Sequence, residues 1–164
     1  MKIFAKWAIF VLMLYILQTS LLPLISYNGV SPNLMLLVTV SVAFLLGHRY
    51  GVFVGFAVGL LQDLTSGSYF GCVTFSYMLI GLLCGKFSDQ IFKDQFILPM
   101  ISSLFTSTIH YLIMVMFIIL LGYQLNLQWS LQYTFLPLLF WQFVFAYPIH
   151  KLVLEFDKRV SVKR

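Results

Sequence analysis

The sequence predicts an all-α integral membrane protein: a single domain over residues 1–164, built as a bundle of six transmembrane helices. Hydrophobic residues make up 61% of the chain and charged residues only 9%, against about 25% charged in a typical soluble domain. The apolar residues form long runs separated by short polar connections. Such a chain has too few polar residues to cover a water-exposed surface, so soluble catalytic and binding domains are excluded.

The first three predicted spans cover residues 7–24, 31–48 and 51–68. Lys6 precedes the first span and Trp7 suits the membrane interface. No small-residue cleavage site follows this span, so it is expected to be retained as a helix and not removed as a signal peptide. Judged by their apolar residues alone, the second and third helices are about 14 residues long, short of the ~20 that cross a bilayer. A re-entrant hairpin is therefore the alternative to two full spans.

The last three predicted spans cover residues 70–85, 97–121 and 131–154. Residues 86–96 hold two lysines and two aspartates among apolar residues, a pattern typical of a short amphipathic segment at the membrane surface. Residues 122–130 are predicted to form an uncharged loop. Pro137 and Pro148 fall inside the last span and should bend it.

The distribution of basic residues predicts the orientation of the chain. With a cytoplasmic N-terminus, six spans place every lysine and arginine on the cytoplasmic side. A re-entrant second and third helix would leave Arg49 within the membrane, which favours six full spans and cytoplasmic N- and C-termini. The ten basic residues are Lys2, Lys6, Arg49, Lys86, Lys93, Lys151, Lys158, Arg159, Lys163 and Arg164.

Glycines recur at four-residue intervals on two of the predicted helices. Gly51, Gly55 and Gly59 share one face of the third helix, and Asp63 continues that row. Small residues allow helix backbones to approach closely, so the rows predict either packing within this chain or contact with a partner protein. If the third and fourth helices pack together, one row meets the other. The candidate residues are Gly51, Gly55, Gly59, Asp63, Gly67, Gly71, Gly81 and Gly85.

Asp63 is the only acidic residue between Met1 and Lys86. It lies near the C-terminus of the third helix, where the helix dipole disfavours an anion, and the predicted topology leaves no basic residue on its side of the membrane. Three partners are open: the backbone N–H groups of Thr65–Ser68, His110 on the fifth helix, or a cation of another protein.

Other chemically active residues form no recognisable catalytic or metal-binding set. Besides its possible contact with Asp63, His110 is interpreted as a buried, hydrogen-bonded core histidine, because a proton relay needs a longer chain of titratable groups. Cys72 and Cys84 would lie about 18 Å apart on one helix, so both are predicted to be free thiols. The sequence contains no Walker, H-E-x-x-H or C-x-x-C motif, and no catalytic, metal or cofactor residue is predicted.

The run Gly55–Leu64, followed by Gly67 and Gly71, resembles the signature of the rod shape-determining protein MreD family. That signature reads G-x-x-x-G-L-x-x-D-x-x-x-G-x-x-x-G. Ser31–Leu34 resembles the Pro-Asp-Leu that precedes the second helix in the family, with Asn33 in place of the acid. The glycine-bearing fourth helix, the length and the predicted topology also agree.

The resemblance implies a non-enzymatic scaffold of the bacterial cell-elongation machinery, located in the cytoplasmic membrane. Such proteins bind the bitopic protein MreC, and through it they connect to MreB, RodA and a class B penicillin-binding protein. Their role is to support lateral peptidoglycan synthesis and rod cell shape. The implied fold is similar to that of the substrate-binding subunits of energy-coupling-factor transporters. No cofactor or nucleic acid is expected, and a homodimer is left open.

The alternative function is a vitamin-binding subunit of such a transporter. It would require polar residues gathered in an outer pocket and an alanine-rich face on the first helix. That helix has no alanine beyond Ala5 and Ala8. The polar residues expected near the outer side are Asn28, Gln62, Gln124, Asn126 and Gln128. A channel or carrier is less well supported, because the bundle interior carries almost no charge.

Overall fold

The computed structural model describes residues 2–26, 29–66, 70–87, 97–124 and 126–161, and all regular secondary structure in these ranges is helical. A 3₁₀ turn, Leu22–Ile25, follows the first helix, and a π-helical segment, Leu131–Phe135, joins the last two α-helices into one continuous helix, so the described residues form six continuous helices. The α-helices are α1 Lys2–Ser20, α2 Leu34–Leu46, α3 His48–Ser66, α4 Cys72–Phe87, α5 Ile97–Leu120, α6 Leu127–Ser130 and α7 Leu136–Ser161.

The centre of the bundle is α2, which packs against α1, α3, α4, α5 and α7. All ten residues from Leu34 to Ala43 are buried. A helix that is hydrophobic on every side has to be surrounded, and here other helices of the chain surround it. The core is therefore built around the most apolar helix rather than between amphipathic faces.

The α2 helix is shorter than the predicted span 31–48. It has 13 residues, from Leu34 to Leu46, which corresponds to about 20 Å. The Asn33 side chain accepts a hydrogen bond from the Leu36 amide at its start, and Gly47, with φ 86°, ends it. That φ lies in the left-handed region that favours glycine, so a single residue connects α2 to α3. Because its neighbours bury it, α2 does not need the length of a lipid-facing span to keep its apolar residues away from water.

The predicted boundaries also shift at the two ends of the chain. The 3₁₀ turn at the end of the first predicted span contains Pro23, which lacks the amide that an α-helix would need there. Helix α6 begins at Leu127, inside the predicted loop 122–130, and α7 extends past residue 154 to Ser161. The π-helical segment lies directly before Pro137, where the missing amide removes an i→i−4 hydrogen bond.

Large apolar side chains cover the outside of the bundle. Met13 on α1 is 67% exposed, and Leu112 on α5 is 60% exposed. A continuous apolar exterior suits a bilayer and not water. Two helices, Pro99–Leu120 and Leu127–Val160, are long and apolar enough to cross a membrane, while other apolar helices are shorter. Six full spans within one domain therefore stay a prediction.

The two ends of the bundle differ in charge. Gly85 of α4 lies against His48 of α3, and the Trp7 ring of α1 packs on the Phe156 ring of α7 at 5.1 Å. Trp7, Tyr50 and Asp157 line one groove, so these four helix ends lie together. We call this the basic end, and we call the opposite end, where α3 finishes and α4 begins, the Asp63 end. The basic end carries Lys6, Arg49, Lys86, Lys158 and Arg159, all of which are exposed.

Candidate functional site

The two glycine rows face each other between α3 and α4. Gly51, Gly55 and Gly59 on α3 are buried, and so are Gly81 and Gly85 on α4. We call these five residues the glycine seam. Since a helix presents residues at i, i+4 and i+8 on one face, each row forms a strip without side chains, and the two strips allow backbone-to-backbone contact.

The separation of α3 and α4 leaves no room for a side chain in the seam. A Cβ atom built on Gly55 would lie 2.5 Å from the carbonyl oxygen of Tyr77. One built on Gly59 would lie 2.5 Å from the Cα atom of Thr74. Both obstacles are backbone atoms, so a larger residue at either position has to push the helices apart.

At the basic end the seam closes against three partners. A Cβ atom on Gly51 would lie 2.6 Å from the carbonyl oxygen of Gly81 and 2.6 Å from the Cβ atom of Ala43 on α2. A Cβ atom on Gly85 would meet the backbone of His48. Gly51 therefore stands at the junction of α2, α3 and α4, and the seam positions all three helices.

Asp63 caps the N-terminus of α4 from the neighbouring helix. Its carboxylate accepts hydrogen bonds from the Val73 amide at 3.2 Å and from the Thr74 amide at 2.9 Å. The Thr74 hydroxyl donates to the same carboxylate at 2.5 Å. A helix usually receives such bonds from the side chain of its N-cap residue, but here that position is Gly71, and Asp63 replaces it. We call Asp63 with Val73 and Thr74 the Asp63 cap.

The cap explains why a carboxylate that is only 1% exposed is stable in an apolar bundle. Three donors satisfy it, and the positive end of the α4 dipole faces it. The sequence left three other partners open for Asp63 and did not indicate this one. One of these three, the backbone amides of Thr65–Ser68, falls partly outside the described residues. Among the described residues, no hydrogen bond joins Asp63 to His110, which was the second. Counting along α3 identifies its unfavourable C-terminal dipole but not the favourable dipole of the next helix.

A chain of buried and half-buried polar groups adjoins the cap. The Asn33 amide donates to the Tyr77 hydroxyl at 2.5 Å, and that hydroxyl donates to Gln62 Oε1 at 2.8 Å. Gln142 Nε2 donates to the backbone oxygen of Asn33 at 3.2 Å. We call these four residues the polar network. It ties α2, α3, α4 and α7 together at the Asp63 end by satisfying the polar groups that it joins. Gln142 Oε1 is buried without a hydrogen-bond partner.

His110 lies beside this network without joining it by a described hydrogen bond. Its ring centroid is 5.3 Å from that of Tyr77, and its Nδ1 atom is buried without a hydrogen-bond partner. The side chain is half-buried. His110 was predicted to be a buried core histidine with a hydrogen bond. It lies against the core through its ring contact with Tyr77, and its Nδ1 atom forms no hydrogen bond.

Two predicted seam glycines stand apart from the seam. Gly71 has φ 92° and would meet nothing within 4 Å if it carried a Cβ atom, so it serves the turn before α4 and not close packing. Gly67 lies outside the described residues. Cys72 and Cys84 are free and buried, as predicted. No group of three metal-ligating side chains occurs in the described part of the chain.

Thr74, Tyr77 and Gln142 were not singled out from the sequence. Tyr77 could have been found, because it precedes Gly81 by four residues and therefore shares the face of α4 that meets α3. Thr74 and Gln142 could not, because their partners lie on other helices. The arrangement as a whole holds helices at fixed separations, and its described groups have structural roles.

Comparison with known proteins gives one result. A family model described as rod shape-determining protein MreD matches residues 1–160 of the chain. No significant match was found among curated proteins or solved structures. The matched range includes the whole glycine seam and the Asp63 cap.

Proposed function

This chain belongs to the rod shape-determining protein MreD family, and on that premise we propose that it is a non-enzymatic scaffold of the cell-elongation machinery. Family membership gives it a role in rod shape determination and places it among membrane proteins. The finer proposal is that it binds the bitopic protein MreC in the cytoplasmic membrane. Through MreC it is connected to MreB, RodA and a class B penicillin-binding protein, and so supports lateral peptidoglycan synthesis.

The observation that carries this proposal is the extent of the family match. It covers residues 1–160, so the resemblance concerns the whole bundle and not one motif that unrelated membrane helices share. It favours the scaffold over the vitamin-binding alternative for the same reason. The seam and the cap then have a clear purpose, which is to give the scaffold a fixed shape.

A partner helix has to use a face that the seam leaves free. On α5, five exposed apolar side chains follow one another at intervals of four, seven, four and three residues. This spacing puts them on one stripe, as in helices that pack against a second helix. A protein with a single membrane span, such as MreC, would present one helix to it. The α5 stripe consists of Ile101, Phe105, Leu112, Met116 and Ile119.

Photo-crosslinking in cells tests the proposal. A photoreactive residue at Leu112 of α5 should crosslink to MreC, whereas one at the equally exposed Met13 of α1 is the matched control and should not. Equal crosslinking from both positions would show that the α5 stripe is not the contact face. Failure of tagged MreC to co-purify with the unmodified chain would remove the scaffold proposal itself, as would failure of the chain to restore rod shape in depleted cells.

A further inference from the structure

An apolar groove lies between α1 and α3 and extends to the basic end, where Trp7, Tyr50 and Asp157 line it. Its volume is about 470 Å³. Residues of α2 and α7 contribute to its wall, so it is a recess in the bundle and not a flat surface. Representative lining residues are Trp7, Val11, Tyr50, Ala57, Leu61 and Asp157.

The groove exists because α1 is held at its two ends. At the Asp63 end the Tyr15 hydroxyl is hydrogen-bonded to Thr65 of α3. At the basic end the Trp7 and Phe10 rings pack on the Phe156 ring of α7, at 5.1 and 4.3 Å between centroids. Between these attachments α1 and α3 leave a space that no side chain of the described chain fills.

The mouth of the groove is basic. Each of four exposed cations is next in sequence to a lining residue, while Asp157 is the one acidic lining residue. None of the four forms an ion pair with an acidic side chain within the described ranges. Even with Asp157 counted, the four cations leave an excess of positive charge at the mouth. The four cations are Lys6, Arg49, Lys158 and Arg159.

The shape and the charge of the groove suit a lipid. From Tyr50 to Leu61 the wall is about 16 Å long. An extended hydrocarbon chain is much thinner than a helix, and small lining residues such as Ala8 and Ala57 leave room for it. The exposed cations at the mouth favour an occupant with an anionic headgroup over an apolar partner helix.

We propose that this groove binds one acyl chain of an anionic phospholipid whose headgroup lies among the cations of the basic end. Basic pockets between membrane helices on one side of a bilayer are known to hold anionic headgroups. Tyr50 and Trp7 line the groove next to two of these cations, and aromatic residues of these types favour the headgroup region of a bilayer. The inference does not depend on any protein partner of the scaffold.

Native mass spectrometry of the full detergent-purified chain tests the proposal. The chain should retain phosphatidylglycerol and lose phosphatidylcholine with the same acyl chains. Ala57→Trp should fill the groove and abolish the retained lipid. The matched control is Phe56→Trp, one residue along α3 at an exposed position outside the groove lining, and it should retain lipid like the wild type. Arg49→Gln should weaken retention about fivefold, the effect of one basic residue near an anionic headgroup.

Mapping with a photoreactive acyl chain gives a second measurement that does not require a variant. Phosphatidylglycerol that carries this acyl chain should label the α1–α3 wall, between Val54 and Leu61. Lipid retention unchanged by Ala57→Trp, or labelling spread evenly over α5 and α7, would overturn the proposal. Equal retention of phosphatidylcholine would overturn the anionic preference. If the Ala57→Trp variant no longer co-purified with MreC but retained lipid like the wild type, a partner helix and not a lipid would occupy the groove.

Discussion

The two sides of α3 pack in opposite ways. Its seam side carries Gly55 and Gly59 and touches the α4 backbone. Its other side carries Val54 and Ala57, and there α1 stays far enough away to leave a groove. The seam side has no side chains at these positions, whereas the groove side carries the methyl group of Ala57 and the larger side chain of Val54. In this bundle the closest helix contacts are made where side chains are missing, because lipid supplies no hydrophobic driving force between helices and close van der Waals contact has to replace it.

The largest effect should follow from putting a side chain into the seam. Gly59→Leu places its first carbon against the Thr74 backbone, which cannot move aside as a side chain would, so we expect a loss of about 3 kcal/mol of stability or failure to fold. Thermal unfolding in detergent measures this loss. The matched variant Ala57→Leu, on the groove side of the same helix, should change stability by less than about 0.5 kcal/mol. Equal losses in both variants would mean that the two sides of α3 do not differ as described.

The second effect concerns the Asp63 cap, where the seam ends. Asp63→Ala leaves the Val73 and Thr74 amides without an acceptor, and we expect a loss of about 2 kcal/mol. Asp63→Asn keeps one acceptor oxygen but loses the charge facing the α4 dipole, so it should lose about half as much. The melting temperatures of the two variants show which substitution destabilises the protein more. Asn as damaging as Ala would show that the charge, and not the hydrogen bonds, stabilises the end of the seam.

The third effect tests whether the polar network holds the helices that the seam does not. Tyr77→Phe removes the hydroxyl between Asn33 and Gln62, and we expect a loss of about 1 kcal/mol, since both half-buried side chains lose that partner. Unfolding measurements on this variant should be compared with Tyr133→Phe, whose side chain is exposed. No difference between the two variants would mean that the network contributes little to the Asp63 end.

The smallest effect should come from Asn33→Asp, which restores the acid that the family usually has at this position. Asp caps a helix as well as Asn does, so the bond from Leu36 is kept. A carboxylate cannot donate to Tyr77, whose hydroxyl would have to turn toward it and leave Gln62. We expect a change of less than about 1 kcal/mol, measured by thermal unfolding. A larger loss would show that the direction of the Asn33–Tyr77–Gln62 bonds matters as much as their number.

Much of the fold could be predicted from local patterns. Composition is sufficient to predict an all-helical chain, and four-residue spacing indicates which faces of α3 and α4 meet. The length of α2 could not be predicted in this way. Its apolar residues suit either a lipid-facing span or a helix enclosed by others, and only the tertiary structure shows that its neighbours enclose it.

The candidate site was less predictable than the fold, because its bonds join different helices. Asp63 was identified as an acid in need of a partner, but Val73 and Thr74 are ordinary residues whose backbone amides supply it. The same is true of Gln142, which bonds to a backbone oxygen more than one hundred residues earlier. Side-chain patterns along a sequence do not indicate which backbone groups are left free at a helix end.

The Asp63 cap also has a consequence for the order of events during synthesis. The carboxylate leaves the ribosome with α3, whereas the amides that satisfy it belong to residues ten and eleven positions later. A bilayer receiving α3 alone would receive an anion whose partners do not yet exist. We therefore expect α3 and α4 to enter the membrane together as a hairpin, with Gly71 at the turn. The Asp63 carboxylate would then disfavour insertion of α3 without α4, before it stabilises the folded protein.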